Sequence, residues 1–572
     1  MIAALAAQSM ATTATHFSVR ARDGKARCGI LTTKNGSIET PAVLLYTRRG
    51  GPLSLTSPDM LAAVTPPVQG VQLDAMQFLE NPDASIIREH GGGAHGFLCL
   101  EGFPIVASNR DPTMYEYGTR PSTDKEVHVS IHSGGHMVSP ERYMETIAAL
   151  KPDLFVSLCD EVTADTKPKR VATATKRTTA WLDACLQLHA AYQQRQQQQQ
   201  QEQQRQADPP AGQGANGAAE AQPSSSGNDG VSGSGSGAAA AETGPLSDSL
   251  LLAALSGGGQ AAERARAAAA VAEKEGVGGY ALCGLGTGEP PERRPALIGA
   301  SLGALPAACL ERRPVFAPGL AVSPEELLAA VAEGVDLLDC ALVAQVTAGG
   351  YALTFPLRPP PDWRPEAAVT GAQPAAVDAS PATSQAQAQG GAAAGATGES
   401  APDAAPALAP APAPGLGPDV SIGADDTKIN LWSTSYRLDK GPLLPGCGCF
   451  TCRRHSRAYV HHLLNTHEML ADVLLEAHNT SHVMAFCQAI REAISEGRFE
   501  LYQQWFSSLR AAPLVPAPRH VTSKRRASGP PEAKEAAVAA GASGEAGAEE
   551  AAGAAEGPEA AGEPRRSKWV RV

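Results

Sequence analysis

The segment KPDLFVSLCDEV, Lys151–Val162, decides how the rest of the chain reads. Its centre, near Leu154 to Leu158, is apolar on both faces, and it ends abruptly on Cys159, Asp160 and Glu161. A run that short and uninterrupted suits a strand covered on both sides, as in a parallel sheet. The next stretch, KPKRVATATKRTTAWLDACLQLHAAY, has the period of an amphipathic helix. Strand, polar end and helix together make one unit of an alternating β/α fold.

The unit repeats downstream. LLLAALSGGG from Leu250 is a strand running into a glycine turn, and QAAERARAAAAVAEKEG follows as a helix of strong helix formers. GGYALCGLGTGE is another strand ending in glycines. PVFAPGL precedes SPEELLAAVAEG, where Ser323 is an N-cap, Pro324 a first-turn proline and Glu326 the acid of a capping box. VDLLDCALVAQVT reads as a further strand. Such alternation argues a parallel sheet with crossover helices, either open and doubly wound or closed. No G-x-G-x-x-G opens a helix in the first unit, which weighs against a dinucleotide-binding sheet. Polar residues and glycines gather where strands end, at Asp160 and Glu161, Gly257 to Gly259, Gly284 to Glu289, and Asp339. An eight-stranded barrel places its site there, so an α/β fold of (β/α)8 type is expected.

Three segments are too poor in aromatic and branched residues to offset the entropy of ordering: 193–247, which begins as a glutamine run, the Ala/Pro-rich 365–420, and the tail 510–572. The barrel is then expected in two halves, 17–192 and 248–364, with 421–509 as an appended subdomain and closing helices. The formal net charge of -12 owes much to acidic residues of the tail. Basic clusters stand at Arg453, Arg454 and Arg457, at Lys524 to Arg526, and at Arg565, Arg566 and Lys568. They suit an RNA backbone and equally a solvated surface. Eleven cysteines, eight of them scattered singly, do not form a disulfide framework and indicate a reduced, intracellular chain. No apolar run approaches the roughly 20 residues of a membrane span. The first residues lack the arginines of a mitochondrial presequence. A cytoplasmic location is expected, with association at the mitochondrial surface left open.

The densest chemistry lies in LPGCGCFTCRRHSRAYVHHLL, from Leu444. Cys447, Cys449 and Cys452 can supply three thiolates from one tight loop to a tetrahedral zinc ion. Local spacing favours His455 as the fourth ligand, with His461, His462, His467, His478 and His482 as further candidates. Residues from about Ser456 to Ala477 are expected to form one long helix.

Cys-x-Cys-x2-Cys followed about 25 residues later by a His-Asn pair resembles the zinc site of the tRNA-guanine transglycosylases. Here those residues are Cys447, Cys449, Cys452 and His478, with Asn479 after it. SLCDEV resembles that family's base-recognition segment, YALCGLGTGE its glycine-rich loop, and GVDLLDC the segment of its catalytic aspartate. The resemblance spans roughly Phe17 to Phe506. It implies an irregular (β/α)8 barrel with a zinc-binding subdomain and one structural Zn2+ per subunit. It also implies a double displacement, in which an aspartate attacks the ribose C1′ while a second aspartate serves as general base. Asp339 falls at the nucleophile's position, and Asp160 and Gly284 fall in the base pocket.

The remaining machinery departs from the pattern. GFLCLEGFPIVASNRDP, from Gly96, stands where Asp-Ser-Gly-Gly-Phe-Gln belongs, ALVAQVTAGGYALTF replaces an arginine-bearing segment, and Ser256 replaces a glutamine amide. These departures resemble the family's non-catalytic subunits. Such a subunit pairs with a catalytic subunit as a heterodimer, reaches tRNA through that complex, and supports exchange of guanine for queuine at the wobble position of tRNAs for Asp, Asn, His and Tyr. Asp339, Asp160 and Gly284 would then be vestigial, with no catalytic residue in this chain. An active transglycosylase using Asp339, or a zinc-dependent RNA-binding protein, are the competing readings.

Overall fold

The computed structural model describes residues 15–51, 54–55, 58–113, 121–131, 134–207, 248–320, 322–365 and 426–509. Of the three biased segments, 366–420, 510–572 and all but residues 193–207 of the first lie outside these. Residues 193–207 continue the preceding helix.

Three antiparallel strands come first: β1 (His16–Asp23), β2 (Ala26–Thr33) and β3 (Gly36–Thr40). The barrel strands are β4 (Ala42–Thr47), β5 (Val71–Asp74), β6 (Ile105–Ser108), β9 (Leu154–Val156), β10 (Leu250–Leu255), β11 (Gly279–Leu282), β12 (Val315–Ala317) and β13 (Leu337–Asp339). A hairpin, β7 (Val127–Ile131) with β8 (Gly134–Val138), and a late pair, β14 (Tyr351–Leu353) with β15 (Lys428–Asn430), lie outside it. Every barrel pairing is parallel, and the order β10-β11-β12-β13-β4-β5-β6-β9 closes on itself.

Closure explains why nearly every barrel residue is buried: one face meets the barrel interior and the other meets helices. The interior is filled by Leu44, Val106, Leu154, Val156, Leu252, Ala281, Phe316 and Leu337. Phe17, Leu31 and Ile38 of the first three strands join the same cluster and cover one end. The ring of helices includes α1 (Pro140–Leu150), α2 (Pro168–Ala207), α3 (Ala261–Ala272), α4 (Arg294–Leu302) and α5 (Pro324–Ala332). Ser323 does cap α5, accepting the Glu326 N–H at 3.2 Å.

Two expectations are corrected. VDLLDCALVAQVT is a strand only as far as Asp339; Ala341–Gly349 is a helix, α6, ended by Gly350 at φ 80°. The segment from Ser456 to Ala477 is not one helix. It comprises α8 (Arg457–Asn465), which follows the short α7 (Phe450–Arg454), and the start of α9 (Met469–Ser495), with His467 at φ 58° between them. A left-handed residue cannot continue a right-handed helix, so α8 and α9 fold against each other. The last helix among the described residues is α10 (Phe499–Ser508).

Helix α9 joins two cores. Ala471, Leu474 and Leu475, from its first half, pack with Val460, Leu463 and Leu464 of α8. Val483, Phe486, Cys487, Ile490 and Ile494, from its second half, belong to the core between barrel and helices. Whatever fixes the first half of α9 therefore bears on the barrel as well.

A candidate metal centre and the barrel mouth

Gly446 at φ 79° lets the chain turn into Cys447, and Cys449 caps α7 by accepting the Cys452 N–H at 3.3 Å. That geometry turns three sulfurs to one side. His478, on α9 and fully buried, brings Nδ1 to 3.9 Å from the Cys447 sulfur, 3.5 Å from Cys449 and 3.4 Å from Cys452. Zinc–sulfur bonds of about 2.3 Å and a zinc–nitrogen bond of about 2.0 Å at a tetrahedral angle would set sulfur and nitrogen about 3.6 Å apart. The four donors fit a metal ion without rearrangement, and they form a group able to hold one.

The histidine is oriented from its other side. Its Nε2 lies 2.8 Å from the Leu353 carbonyl, which fixes the tautomer that leaves Nδ1 to face the sulfurs. Asn479 ties the same strand: its Oδ1 accepts the Leu353 N–H at 2.8 Å, and its Nδ2 donates to the Tyr351 carbonyl at 3.0 Å and to Thr347 Oγ1 at 3.1 Å. Thr451 Oγ1 donates to the Leu474 carbonyl at 2.7 Å, pinning the cysteine loop to α9. Among themselves the four groups are unbalanced. Hydrogen bonds from Cys449 and Cys452 drive the Cys447 thiol far down, while Cys447 and Cys449 push Cys452 far up. Burial alone would lower His478, but Cys447 and Cys449 outweigh it and raise it to about 9.

His455 is elsewhere. It ends α7 and stacks on Tyr459, ring centroids 5.4 Å apart, with Phe450 at 5.6 Å on a tilted plane. Spacing along the chain pointed to it; the fold excludes it from the four-donor group.

At the C-terminal ends of the barrel strands stand the residues of the expected base pocket, and each is occupied by the protein itself. Asp160 is buried, and Arg170 meets both its oxygens at 2.8 Å. Arg177 adds a further contact at 3.4 Å. Gly284, at φ 66°, donates its N–H to Glu161 Oε1 at 3.1 Å, and its carbonyl accepts from Arg264 at 2.8 Å. Asp339 is fully buried, and its Oδ2 accepts the Gly319 N–H. Burial pushes its carboxyl up to about 6, against the pull of that N–H and of Arg110.

Arg110 is the residue that sequence reasoning missed. Strand β6 ends on Ser108, and Arg110 stands two residues on, within the segment where a second aspartate would belong. Its Nη1 donates to Glu161 Oε2 at 3.3 Å and to the Leu285 carbonyl at 3.1 Å. The guanidinium lies over Gly319, 3.1 Å from where a Cβ would stand. The carboxylate nearest in sequence, Asp111, is bound by Arg48 at 3.0 Å and by Thr113. No motif flags Arg110; only its place beside Glu161 and Leu285 does.

A family model described as queuine tRNA-ribosyltransferase matches residues 23–206 and 237–512. The chain is 31% identical over 494 residues to a protein of Xenopus tropicalis named queuine tRNA-ribosyltransferase accessory subunit 2, covering 82% of this chain and 94% of that one. The human protein of the same name is 27% identical over 474 residues, 82% and 92% of the two chains. A protein of Thermus thermophilus named queuine tRNA-ribosyltransferase is 25% identical over 503 residues, 87% and 95%.

Proposed function

We propose that this chain, which belongs to the queuine tRNA-ribosyltransferase family, is a non-catalytic, zinc-bearing subunit. It would pair with a catalytic subunit that exchanges guanine for queuine at the wobble position of tRNA. The observation that carries this reading is the barrel mouth, where a carboxylate at the nucleophile's position survives without free neighbours. Asp160 is neutralised by Arg170 and Arg177, and β6 ends on Ser108. Arg110 lies among Glu161, Leu285 and Gly319, where a base would need room. Groups that act as a unit lose nearly all their effect when their partners are missing. The accessory-subunit names of relatives covered over more than nine-tenths of their length support the same conclusion.

Cys447, Cys449, Cys452 and His478 would hold the zinc, with no position left for a reacting water, so its part is structural. The metal fixes the cysteine loop to α9 and shapes an exposed apolar surface. Leu438, Phe450, Tyr459, Met469 and Leu470 stand out there, Met469 being 82% exposed. Exposed large apolar side chains on one subdomain suit a protein contact, and aromatic residues are the usual anchors. This surface would meet the catalytic subunit, in a cytoplasmic complex that brings tRNA to both. Among the described residues no helix is long and apolar enough to cross a membrane.

The test is reconstitution. Purified alone, the chain is expected to show no base exchange; with the catalytic subunit, exchange is expected and should persist in Asp339→Ala. Met469→Glu and Tyr459→Glu should weaken heterodimer formation by about tenfold or more. Exchange by the isolated chain that disappears in Asp339→Ala would overturn the proposal.

A further inference from the structure

A second group of metal-type donors lies at the barrel mouth, away from the cysteine loop. Cys159 follows β9 and Cys283 follows β11, and their sulfurs together with a carboxylate oxygen of Glu161 all lie within 4.8 Å of one another. Cys159 is 5% exposed and Cys283 fully buried. Strand β10 runs between these two strands, and the Cys283 N–H donates to the carbonyl of Leu255, the last residue of β10. Next comes Ser256, whose hydroxyl is buried with no hydrogen-bond partner.

Charge gives the second observation. Arg264 is completely buried and donates only to backbone carbonyls: Gly258 at 2.7 Å, Cys283 at 3.2 Å and Gly284 at 2.8 Å. Among the described residues its Nη1 has no hydrogen-bond partner. The carboxylates around it are already engaged, Glu289 with Arg294 and Glu161 with Arg110. Burial pulls this guanidinium down to about 10, and Glu289 is the strongest of the charges that oppose the pull. Two thiols, a carboxylate and a buried guanidinium therefore lie together at this end of the barrel.

We propose that Cys159, Glu161 and Cys283 form a second metal site, for a thiophilic divalent cation of the zinc type. On binding, both thiols release their protons to solvent and two sulfur–metal bonds form. One carboxylate oxygen joins them, leaving the other its present N–H partner. The two thiolates match the two charges of the ion, and Glu161 exchanges its Arg110 contact for the metal while keeping the Gly284 N–H. Sulfur ligands select zinc over magnesium or calcium. Three protein ligands leave one tetrahedral position open, unlike the closed set at Cys447, Cys449, Cys452 and His478. The inference rests on the donors and their geometry and stands whether or not the chain works with a catalytic subunit.

The experiment is metal stoichiometry on the reduced full chain, by elemental mass spectrometry after dialysis against zinc. Cadmium titration provides a second readout through thiolate charge-transfer absorbance. Wild type should hold two zinc ions per chain and Cys449→Ser one. Cys283→Ala should also hold one, and its remaining ion should be retained against chelator as tightly as the tighter ion of wild type. Glu161→Gln, which keeps both thiols, should weaken the second equivalent by about 100-fold, the upper end of what losing a mere outer hydrogen bond does. Circular dichroism establishes that each variant is folded. One ion per chain in wild type with Cys283→Ala unchanged would overturn the proposal. So would a Cys159–Cys283 disulfide that persists under reductant, or a second ion indifferent to both Cys283→Ala and Glu161→Gln.

Discussion

The cysteine loop and the barrel mouth both crowd reactive side chains from distant segments, and they relieve the crowding in opposite ways. At the loop, Cys447, Cys449, Cys452 and His478 turn their lone pairs toward one point, while hydrogen bonds to Leu353 and from Thr451 hold the donors from behind. At the mouth, Asp160 and Glu161 each meet a guanidinium, and Asp339 meets backbone N–H groups. The first arrangement stays incomplete until an ion arrives; around Asp160 and Asp339 the second has completed itself with arginine and backbone N–H groups. A site for an external ligand needs groups left unsatisfied by the fold, and a retained carboxylate is no sign of chemistry once its neighbours have closed on it.

The contrast is most open to attack at His478. His478→Ala should release the loop's zinc and lower the melting temperature by about 10 °C, because binding at a structural site is folding free energy. His455→Ala should do neither; metal analysis beside thermal unfolding decides between the two histidines. Next in size is Asn479→Ala, which strips partners from the Leu353 N–H, the Tyr351 carbonyl and Thr347. It should cost about 2–4 kcal/mol in urea unfolding even with metal present. Asp160→Ala leaves Arg170 and Arg177 facing a partly buried gap and should cost about 2 kcal/mol. Exchange by the reconstituted complex should nevertheless continue; its loss would mean that the mouth still reads a base.

The smallest effect concerns pH. Asp339 titrates near 6 in the fold, against 3.8 for an ordinary aspartate. The folded state thus binds more protons than the unfolded one between about pH 4 and 6. Stability from this group is fully present below that window and lost as pH rises through it. Asp339→Asn should flatten that decline by about 1–2 kcal/mol without altering exchange by the complex. Urea midpoints from acid to mildly alkaline pH would show it, and a steeper decline in the variant would refute the assignment.

Much of the fold was legible because buried parallel strands write themselves as short apolar runs, and their polar ends fall where the barrel opens. The break between α8 and α9 was not, since His467 adopts its left-handed backbone without glycine or proline to announce it. Nor was the point where that strand gives way to α6: VDLLDCALVAQVT is largely apolar, and apolar runs alone do not separate strand from buried helix. Cys447, Cys449 and Cys452 were evident from spacing. The choice of His478 over His455 came from a family resemblance, and the fold supplies its physical reason by packing α9 across the loop.

Period, turn and residue type, all local matters, were enough to specify an alternating β/α chain and a cysteine loop with a metal's stereochemistry. They could not specify that Arg110, Arg170 and Arg177 close on the mouth's carboxylates, or that Cys159 and Cys283 meet across β10 beside the buried Arg264. Those outcomes belong to the folded barrel. Parallel strands bring together residues more than a hundred positions apart, and which charges then neutralise one another depends on distances that no linear spacing contains.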